Sequence, residues 1–343
     1  MKSLFIDAIW GKEVPRFPIW MMRQAGRYLP EYKKLKAEKA EGSFWKMVKS
    51  PELAAEITLQ PLKRFGVDAL ILFSDILTPL PAMGFQIDFV PYPKFGKNAL
   101  QIGIDNLKVP DDLAQRVDFV TETIKLIKKS TDVPLIGFGG SPYTLACYAL
   151  KDDIDRYFAN PRKLYYQDRE LYDQLLSKLS LTVQQYLNLQ IEAGVDAVML
   201  FDTWAGSLSL PQYEKMSLPY VKQIMGGLKT TTKRLPKLYY SSRTTDLMQG
   251  IKKTGVDVVV ADWQSPISFL KKELDEKWAI CGNLDPAVLC GSVNNVRDEV
   301  NKILNSIGDY RRFVFNLGHG IYQDTPLDNV AMLIDTVKNH RLN

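Results

Sequence analysis

Histidine and cysteine are scarce in this chain, and their scarcity limits the chemistry it can perform. Among 343 residues there are two histidines and three cysteines. A multinuclear metal site needs more imidazole and thiolate ligands than that. Cys147, Cys281 and Cys290 form no C-x-x-C pair, which excludes zinc ribbons and thioredoxin-like redox motifs. Chemistry must therefore come mainly from carboxylates, arginines, hydroxyls and at most one histidine.

Long apolar runs and a large excess of charge are also missing. No run approaches the roughly 18 apolar residues of a membrane helix, and Asp7 interrupts the apolar start of the chain where a signal peptide would have its hydrophobic core. The net charge of +5 is small for this length and does not indicate nucleic-acid binding. Because few cysteines suit a reducing compartment, we expect a cytoplasmic protein that binds neither membrane nor nucleic acid.

Eight short apolar runs alternate with longer amphipathic segments. Most of the runs lack period-two alternation, which is typical of strands buried on both faces of a parallel sheet. They span residues 18–22, 68–74, 134–138, 196–201, 237–241, 256–261, 278–282 and 312–317. No linker divides the chain, and no glycine-rich dinucleotide loop is present. The pattern therefore predicts an α/β fold, a single-domain (β/α)8 TIM barrel over residues 1–343.

Proline and glycine predict where helices begin and end. A polar residue before a proline can cap the first turn, where proline lacks only an N–H that has no intrahelical partner. The predicted N-caps are Ser50, Ser141, Asn160, Ser265, Asp285 and Thr325. Gly194 and Gly255 precede apolar runs, and both are predicted to end helices in the left-handed conformation.

A barrel predicts where catalytic residues lie, since they occupy the carboxyl ends of its strands. Polar or glycine residues follow nearly every predicted strand: Arg23, Arg27, Asp75, 139–141, Asp202, Thr203, 241–243, Asp262, 283–285 and His319. Ordinary loops are polar too, so this agreement supports the barrel without deciding it.

Arg23 and Arg27 follow the first predicted strand, four residues apart. In a helical turn they would share one face, and paired guanidinium groups bind carboxylates or phosphates bidentately. The alternative is that both arginines pair with acidic residues of the barrel itself.

Asp75 and the glycine loop at residues 137–144 are further candidates. A carboxylate at a strand end can accept hydrogen bonds from a ligand and stabilise positive charge, although Asp75 could equally cap a helix. The loop leads into a helix that carries Tyr148, and its N–H groups could face an anion. A tight strand-to-helix turn is the alternative.

Thr203 and His319 complete the set. Thr203 could donate a hydrogen bond to a carboxylate, with Asp202 orienting neighbouring arginines, or both could serve turn chemistry. His319 stands between two glycines, which predicts little packing around it and a role facing a ligand. It would either donate a hydrogen bond or titrate near neutrality. His340 is predicted to be solvated.

Six motifs, in order, resemble the uroporphyrinogen decarboxylase family. They are P-x-W-x-M-R-Q-A-G-R-Y-L-P-E-Y, F-S-D-I-L, G-F-x-G-S-P-x-T-L, F-D-T-W-A-G, G-N-L-D-P and F-N-L-G-H-G, from about Pro18 to Asp324. The resemblance implies a single-domain barrel, a cytoplasmic homodimer and no metal or organic cofactor. It also implies decarboxylation of the four acetate side chains of uroporphyrinogen III to give coproporphyrinogen III, a step of haem biosynthesis.

The resemblance also implies roles for individual residues. Asp75 would lie under the macrocycle, accept its pyrrole N–H groups and stabilise the cation formed when a pyrrole is protonated. Arg23 and His319 are candidates for delivering that proton, directly or through water, although arginine has a very high pKa for an acid. The implied substrate-binding residues are Arg23, Gln24, Ala25, Gly26, Arg27, Asp75, Tyr148, Thr203 and His319.

Three segments depart from the family's usual sequence, at residues 92–97, 149–154 and 241–245. The second contains no glycine, so we expect its flexibility to differ. The third contains Arg243, an additional cation that could bind a peripheral carboxylate. The motifs that carry the resemblance are intact, which predicts an active enzyme.

The sequence leaves two alternatives open. One is a related barrel methyltransferase that works through zinc, but Cys281 lacks the histidine that such relatives carry two residues before a cysteine. The other is a protein that binds a porphyrinogen without turning it over.

Overall fold

A curled parallel sheet forms the centre of the computed structural model, which describes residues 3–89, 93–152, 155, 157–229, 234–308 and 310–342. Its strands follow the order β1-β4-β5-β6-β7-β8-β9, while β2 and β3 form a separate antiparallel pair. The strands are β1 Leu70–Ile71, β2 Ile87–Phe89, β3 Pro93–Phe95, β4 Leu135–Gly140, β5 Ala197–Asp202, β6 Lys237–Ser241, β7 Val258–Val260, β8 Ala279–Leu284 and β9 Phe313–Leu317.

Helices alternate with the strands from β4 onwards and cover the outside of the sheet, as the amphipathic segments predict. They are α1 Leu4–Ile9, α2 Pro30–Ala40, α3 Phe44–Val48, α4 Pro51–Phe65, α5 Ala99–Ile102, α6 Leu113–Arg116, α7 Asp118–Ser130, α8 Pro142–Ala149, α9 Asn160–Gln167, α10 Arg169–Ala193, α11 Leu210–Met216, α12 Leu218–Gly226, α13 Thr244–Ile251, α14 Ile267–Glu273, α15 Val293–Ile307 and α16 Leu327–Asn339. Short 3₁₀ helices span Leu80–Met83, Ile104–Asn106, Thr203–Ser207 and Pro286–Cys290.

The first predicted strand is not a regular strand, but it closes the barrel. Ile19 forms a parallel bridge with Phe315 of β9. The Phe315 N–H donates to the Pro18 carbonyl at 2.8 Å, and the Asp68 N–H, just before β1, donates to the Ile19 carbonyl at 2.8 Å. This segment therefore lies between the last and first strands of the sheet and takes the place of the eighth strand.

The predicted helix boundaries are partly right. Ser50 and Asp285 accept hydrogen bonds from backbone N–H groups two or three residues later, as caps do. The side chains of the other four predicted caps form no capping bond. Asn160 is the first residue of α9 instead, and α14 and α16 begin just after their prolines.

The two glycines predicted to end helices also differ. Gly194 ends α10 with φ +107°, as predicted. Gly255 has φ +84°, but it lies in the turn after α13, which ends at Ile251. Gly255 therefore does not end a helix, so that part of its prediction is wrong. Its predicted left-handed conformation is confirmed.

A repeated Gly-Val-Asp device fixes the amino ends of three strands, at residues 66–68, 194–196 and 255–257. In each case the aspartate carboxylate accepts the first N–H of the preceding strand segment, and a basic side chain pairs with it. The ion pairs join Asp68 to Arg16, Asp196 to Lys128, and Asp257 to Arg234. The device lies at the end of the barrel opposite the predicted site, where residues serve stability.

Asp196→Ala should therefore destabilise the fold without slowing catalysis. The change removes the ion pair with Lys128 at 2.6 Å and the acceptor for the Leu135 N–H at 2.9 Å. Since both partners are only partly buried, we expect a loss of about 1–2 kcal/mol in the free energy of unfolding. Urea denaturation measures it, with the exposed Asp88→Ala as control, for which about 0.5 kcal/mol or less is expected. A lower kcat at unchanged stability would contradict this assignment.

Candidate active site

Arg23 and Arg27 lie in a loop and not in a helix, because α2 begins only at Pro30. Arg23 has a left-handed backbone, with φ +60°. The helical-face argument for the pair is therefore wrong. Both side chains are exposed, and neither has an ion-pair or hydrogen-bond partner among the described residues. Pairing with the barrel's own acids, the alternative considered from sequence, is not found within that part of the chain.

The backbone before Arg23 is fixed by the last strand and the loop after it. The Met22 N–H donates to the Asn316 side-chain oxygen at 3.0 Å, and the Ile321 N–H donates to the Met22 carbonyl at 3.0 Å. Asn316 lies in β9 and is fully buried. These bonds place Arg23 against the loop that carries His319.

Gln24 supports this loop from below and has no exposed surface. Its side-chain oxygen accepts the Met21 N–H at 2.9 Å, and its side-chain amide donates to the Ala69 carbonyl at 3.0 Å. Its buried side chain positions the loop, and its contact with substrate stays a prediction. Ala25 and Gly26, which follow it, are partly exposed.

The glycines around His319 admit close neighbours, and the expectation of little packing there is wrong. A Cβ on Gly318 would lie 2.2 Å from the backbone nitrogen of Trp263, and one on Gly320 would lie 2.4 Å from Cδ of Arg23. His319 itself packs edge-on against Tyr240 and Trp263, with ring centroids 6.2 and 5.8 Å away. The two glycines therefore let Trp263 and Arg23 close in on the histidine.

The environment of His319 keeps its imidazole neutral. Burial, and then the charge of Arg23, lower its pKa from 6.5 to about 4, although Asp262 opposes this. At pH 7 the ring therefore has one N–H and one acceptor nitrogen. Of the two roles considered from sequence, donating a hydrogen bond fits, and titration near neutrality does not.

The presence of only two histidines makes this state measurable by proton NMR. The ring resonances of His319 should stay constant between pH 8 and about 5.5 and shift only at lower pH. His340 stacks on Phe17 at 6.1 Å and is half-buried, contrary to the expectation of a solvated ring; its pKa is also lowered, by burial. A His340→Gln variant assigns the signals, and a midpoint for His319 near 6.5 would contradict the structure.

Asp75 lies four residues after the end of β1 and immediately before the turn at residues 76–79. One carboxylate oxygen, Oδ1, accepts the Leu77 N–H at 2.9 Å. This bond stabilises a turn, since the next helix begins only at Leu80 with Pro79 as its N-cap, so the helix-capping alternative is wrong. The other oxygen has no hydrogen-bond partner among the described residues. Burial raises the pKa of Asp75, while the Leu77 N–H and the charge of Arg23 lower it. Arg23 therefore lies close enough to Asp75 for its charge to change the pKa of the carboxyl group.

Tyr148 and Thr203 join the same mouth. Tyr148, half-buried on α8, has its pKa raised by burial, and the charges of Asp75 and Arg23 act on it in opposite directions. Thr203 is half-buried at the start of its 3₁₀ helix, and its carbonyl accepts a hydrogen bond from Ser242. The Thr203 hydroxyl has no partner within the described ranges, so it is free to donate.

Asp202 orients hydroxyl groups and not arginines, which corrects the sequence-based expectation. It is fully buried and accepts hydrogen bonds from Thr144, Ser217 and Tyr239 at 2.6–2.8 Å. Burial raises its pKa. Thr144 in turn accepts the Trp204 N–H at 3.1 Å. This network ties the helix of Tyr148 to the turn of Thr203.

The departures from the family pattern are only partly visible. Tyr92, Asp153 and Ile154 lie outside the described residues. Arg243, the residue just before α13, forms an ion pair with Asp246 of that helix, and both side chains are largely exposed. Because an exposed pair of this kind is weak, binding of a peripheral carboxylate by Arg243 stays a prediction.

Sequence reasoning missed the aromatic wall of the site. Tyr240 is the next-to-last residue of β6, and its hydroxyl donates to the Gly318 carbonyl at 3.1 Å. Trp263 follows β7 and is 39% exposed beside His319. Both stand at predicted strand ends, so a search for aromatic as well as polar residues there would have found them.

Comparison with known proteins decides the family. A model described as uroporphyrinogen decarboxylase (URO-D) matches residues 1–340. The chain belongs to the uroporphyrinogen decarboxylase family. Proteins named uroporphyrinogen decarboxylase from Trichlorobacter lovleyi and Legionella pneumophila are 41% and 43% identical to it. The alignments cover 100% and 98% of this chain and 99% and 96% of theirs. The predicted family and its carboxy-lyase class are confirmed.

A solved structure supports the fold. A methyltransferase from Methanosarcina mazei superposes with a TM-score of 0.82 over 98% of this chain and 99% of its own, at 20% identity. At that identity the likeness extends to the barrel alone, so the predicted TIM-barrel class is confirmed and the methyltransferase alternative gains no support.

The described residues offer neither a metal cluster nor a membrane span. No group of three or more histidine, cysteine, aspartate or glutamate side chains that could hold a metal ion occurs among them. No helix within the same ranges has the length and apolarity needed to cross a bilayer.

Proposed function

We propose that this chain removes carbon dioxide from the four acetate side chains of uroporphyrinogen III and releases coproporphyrinogen III. One observation carries the proposal: the barrel mouth brings Arg23, whose charge has no partner among the described residues, together with the Asp75 carboxylate and a neutral His319. An anionic substrate needs the cation, and a cationic intermediate needs the carboxylate. Membership of the family supports the same reaction.

Each decarboxylation begins with a proton added to the ring carbon that lies between the pyrrole nitrogen and the carbon that bears the acetate arm. The ring becomes a cation, the bond from the arm to its carboxylate breaks, and the electron pair returns to the ring. Carbon dioxide leaves, and protonation of the exocyclic carbon, with loss of the first proton, gives the methyl group. Asp75 accepts pyrrole N–H groups and stabilises the cation, which lowers the barrier because its charge is already in place.

The remaining residues hold the substrate. Arg23 and Arg27 bind its carboxylates, and the hydroxyls of Tyr148 and Thr203 donate to others. Ala25 and Gly26 contribute the partly exposed loop surface between the arginines, and Gln24 holds that loop in place. Arg23 and His319 are the two candidates for delivering the proton to the ring, directly or through a water that relays it.

We also propose a cytoplasmic homodimer. The resemblance to the family supports the dimer, and the low cysteine content supports a reducing compartment. Light scattering coupled to size-exclusion chromatography should give twice the chain mass; a monomer at micromolar concentration would contradict the dimer.

Anaerobic incubation with uroporphyrinogen III tests the reaction. After oxidation, chromatography should resolve porphyrins with seven, six, five and four carboxylates, without added metal or cofactor. Binding of the porphyrinogen with no loss of carboxylates would instead support a non-catalytic binding protein.

A further inference from the structure

A basic groove opens beside the barrel mouth, on the far side of Arg27. It has a volume of about 510 Å³. We call it the α2 groove, and its lining residues are Arg27, Tyr32, Lys33, Lys36, Ala37, Gly42, Gln323 and Asp324. Three cations and one carboxylate face it, so its net charge is positive.

The cations of the α2 groove, like Lys34 on the same helix, have no ion-pair partner among the described residues, whereas two other basic side chains nearby are paired. Lys39 of α2 pairs with Glu56, and Arg64 pairs with Glu31. Lys33 and Lys36 have no ion-pair partner among the described residues. Unpaired cations on one concave surface attract anions and concentrate them there.

The groove is continuous with the site through both of its walls. The loop that places Arg23 in the mouth ends with Arg27 in the groove. The loop that begins at His319 reaches Asp324 on the opposite wall, and the Ile321 N–H ties the two loops together at the Met22 carbonyl. A ligand at the mouth could therefore extend into the groove.

We propose that Lys33 and Lys36 form an outer subsite for the peripheral carboxylates of the polycarboxylate substrate. This proposal rests on the proposed function, because a substrate with eight carboxylates presents more anions than Arg23 and Arg27 can bind. The outer subsite holds groups remote from the reacting arm. Its contacts are equal in the ground and transition states, so it acts on KM and leaves kcat unchanged.

The test is charge reversal with a matched control on the same helix. Lys33→Glu combined with Lys36→Glu should raise KM for uroporphyrinogen III roughly tenfold with kcat unchanged, as expected for two solvent-screened ion pairs. Lys34→Glu makes the same kind of change outside the groove, on an exposed residue, and should leave KM within about twofold. Asp324→Asn removes the groove's carboxylate and should lower KM.

Salt dependence separates charge from structural damage. Since about 0.1 M salt screens charges beyond ~10 Å, KM of the unaltered enzyme should rise with sodium chloride, and the double variant should lose much of that dependence. Equal KM changes in the double variant and in Lys34→Glu would overturn the subsite. So would a fall in kcat with KM unchanged. An inactive unaltered enzyme would instead refute the proposed function, and titration of uroporphyrin fluorescence would then still test the groove.

Discussion

Asp75→Asn should lower kcat by about 10²- to 10³-fold while the protein stays fully folded. The amide keeps the shape of the side chain, and its oxygen can still accept the Leu77 N–H. The substitution removes the negative charge that stabilises the protonated pyrrole. Loss of one preorganised electrostatic group lowers kcat by about this factor. The substrate should still bind, because the arginines that hold its carboxylates are unchanged.

The same substitution should leave thermal stability equal or higher at pH 7. Burial raises the pKa of Asp75 above 3.8, so the folded state binds this proton more tightly than the unfolded state. The favourable contribution is complete below pH 3.8 and is lost as pH rises through the folded pKa. At neutral pH the ionised carboxylate therefore opposes folding, and a neutral amide removes that opposition.

Single-turnover assays and thermal melts on the same preparation measure both effects. The exposed Asp88→Asn is the matched control and should change neither quantity. A variant that loses stability in proportion to activity would show that Asp75 supports the fold and not the cation. In the unaltered enzyme, kcat should fall as pH drops through the raised pKa of Asp75, and the acid limb should be absent in Asp75→Asn.

The barrel could be predicted from sequence because its signals are local and repeated. Buried strands such as β7 read as continuous apolar runs, and the glycine that ends α10 stands where the pattern places it. The sequence predicts the position of the closing segment at residues 18–20, but it does not predict that this segment is an irregular strand. Its irregularity depends partly on a side chain remote in sequence, since Asn316 accepts the Met22 N–H, while Gln24, three residues along the chain, accepts the Met21 N–H.

The sequence predicts which residues form the site, but it does not predict which of them contact one another or how those contacts change their pKa values. Arg23 and His319 are separated by 296 positions in the chain, and only the fold shows that a glycine between His319 and Ile321 lets the arginine approach. The same contact lowers the pKa of the histidine. A sequence carries no direct signal for such coupling, which explains why titration of His319 near neutrality stood open until the structure was known.

Arg23→Gln should reduce kcat/KM by roughly 10- to 100-fold and should also change how activity depends on pH. The loss follows from one charge-assisted contact with a substrate carboxylate. Both residues have a Cβ, so the left-handed backbone at this position, φ +60°, is strained equally in each. The rate change therefore reports on the guanidinium group.

The pH effect distinguishes the charge of Arg23 from its contact with substrate. Its positive charge lowers the pKa of both Asp75 and His319, so without it both groups bind protons more readily. The acid limb of kcat should move to higher pH, and the NMR midpoint of His319 should rise above about 4. Arg23→Lys keeps the charge but loses bidentate geometry, so it should lower kcat/KM with the acid limb and the midpoint nearly unmoved. If both variants shifted the limb equally, or neither did, the charge of Arg23 would not set the protonation of this site, and its role would be confined to holding the carboxylate.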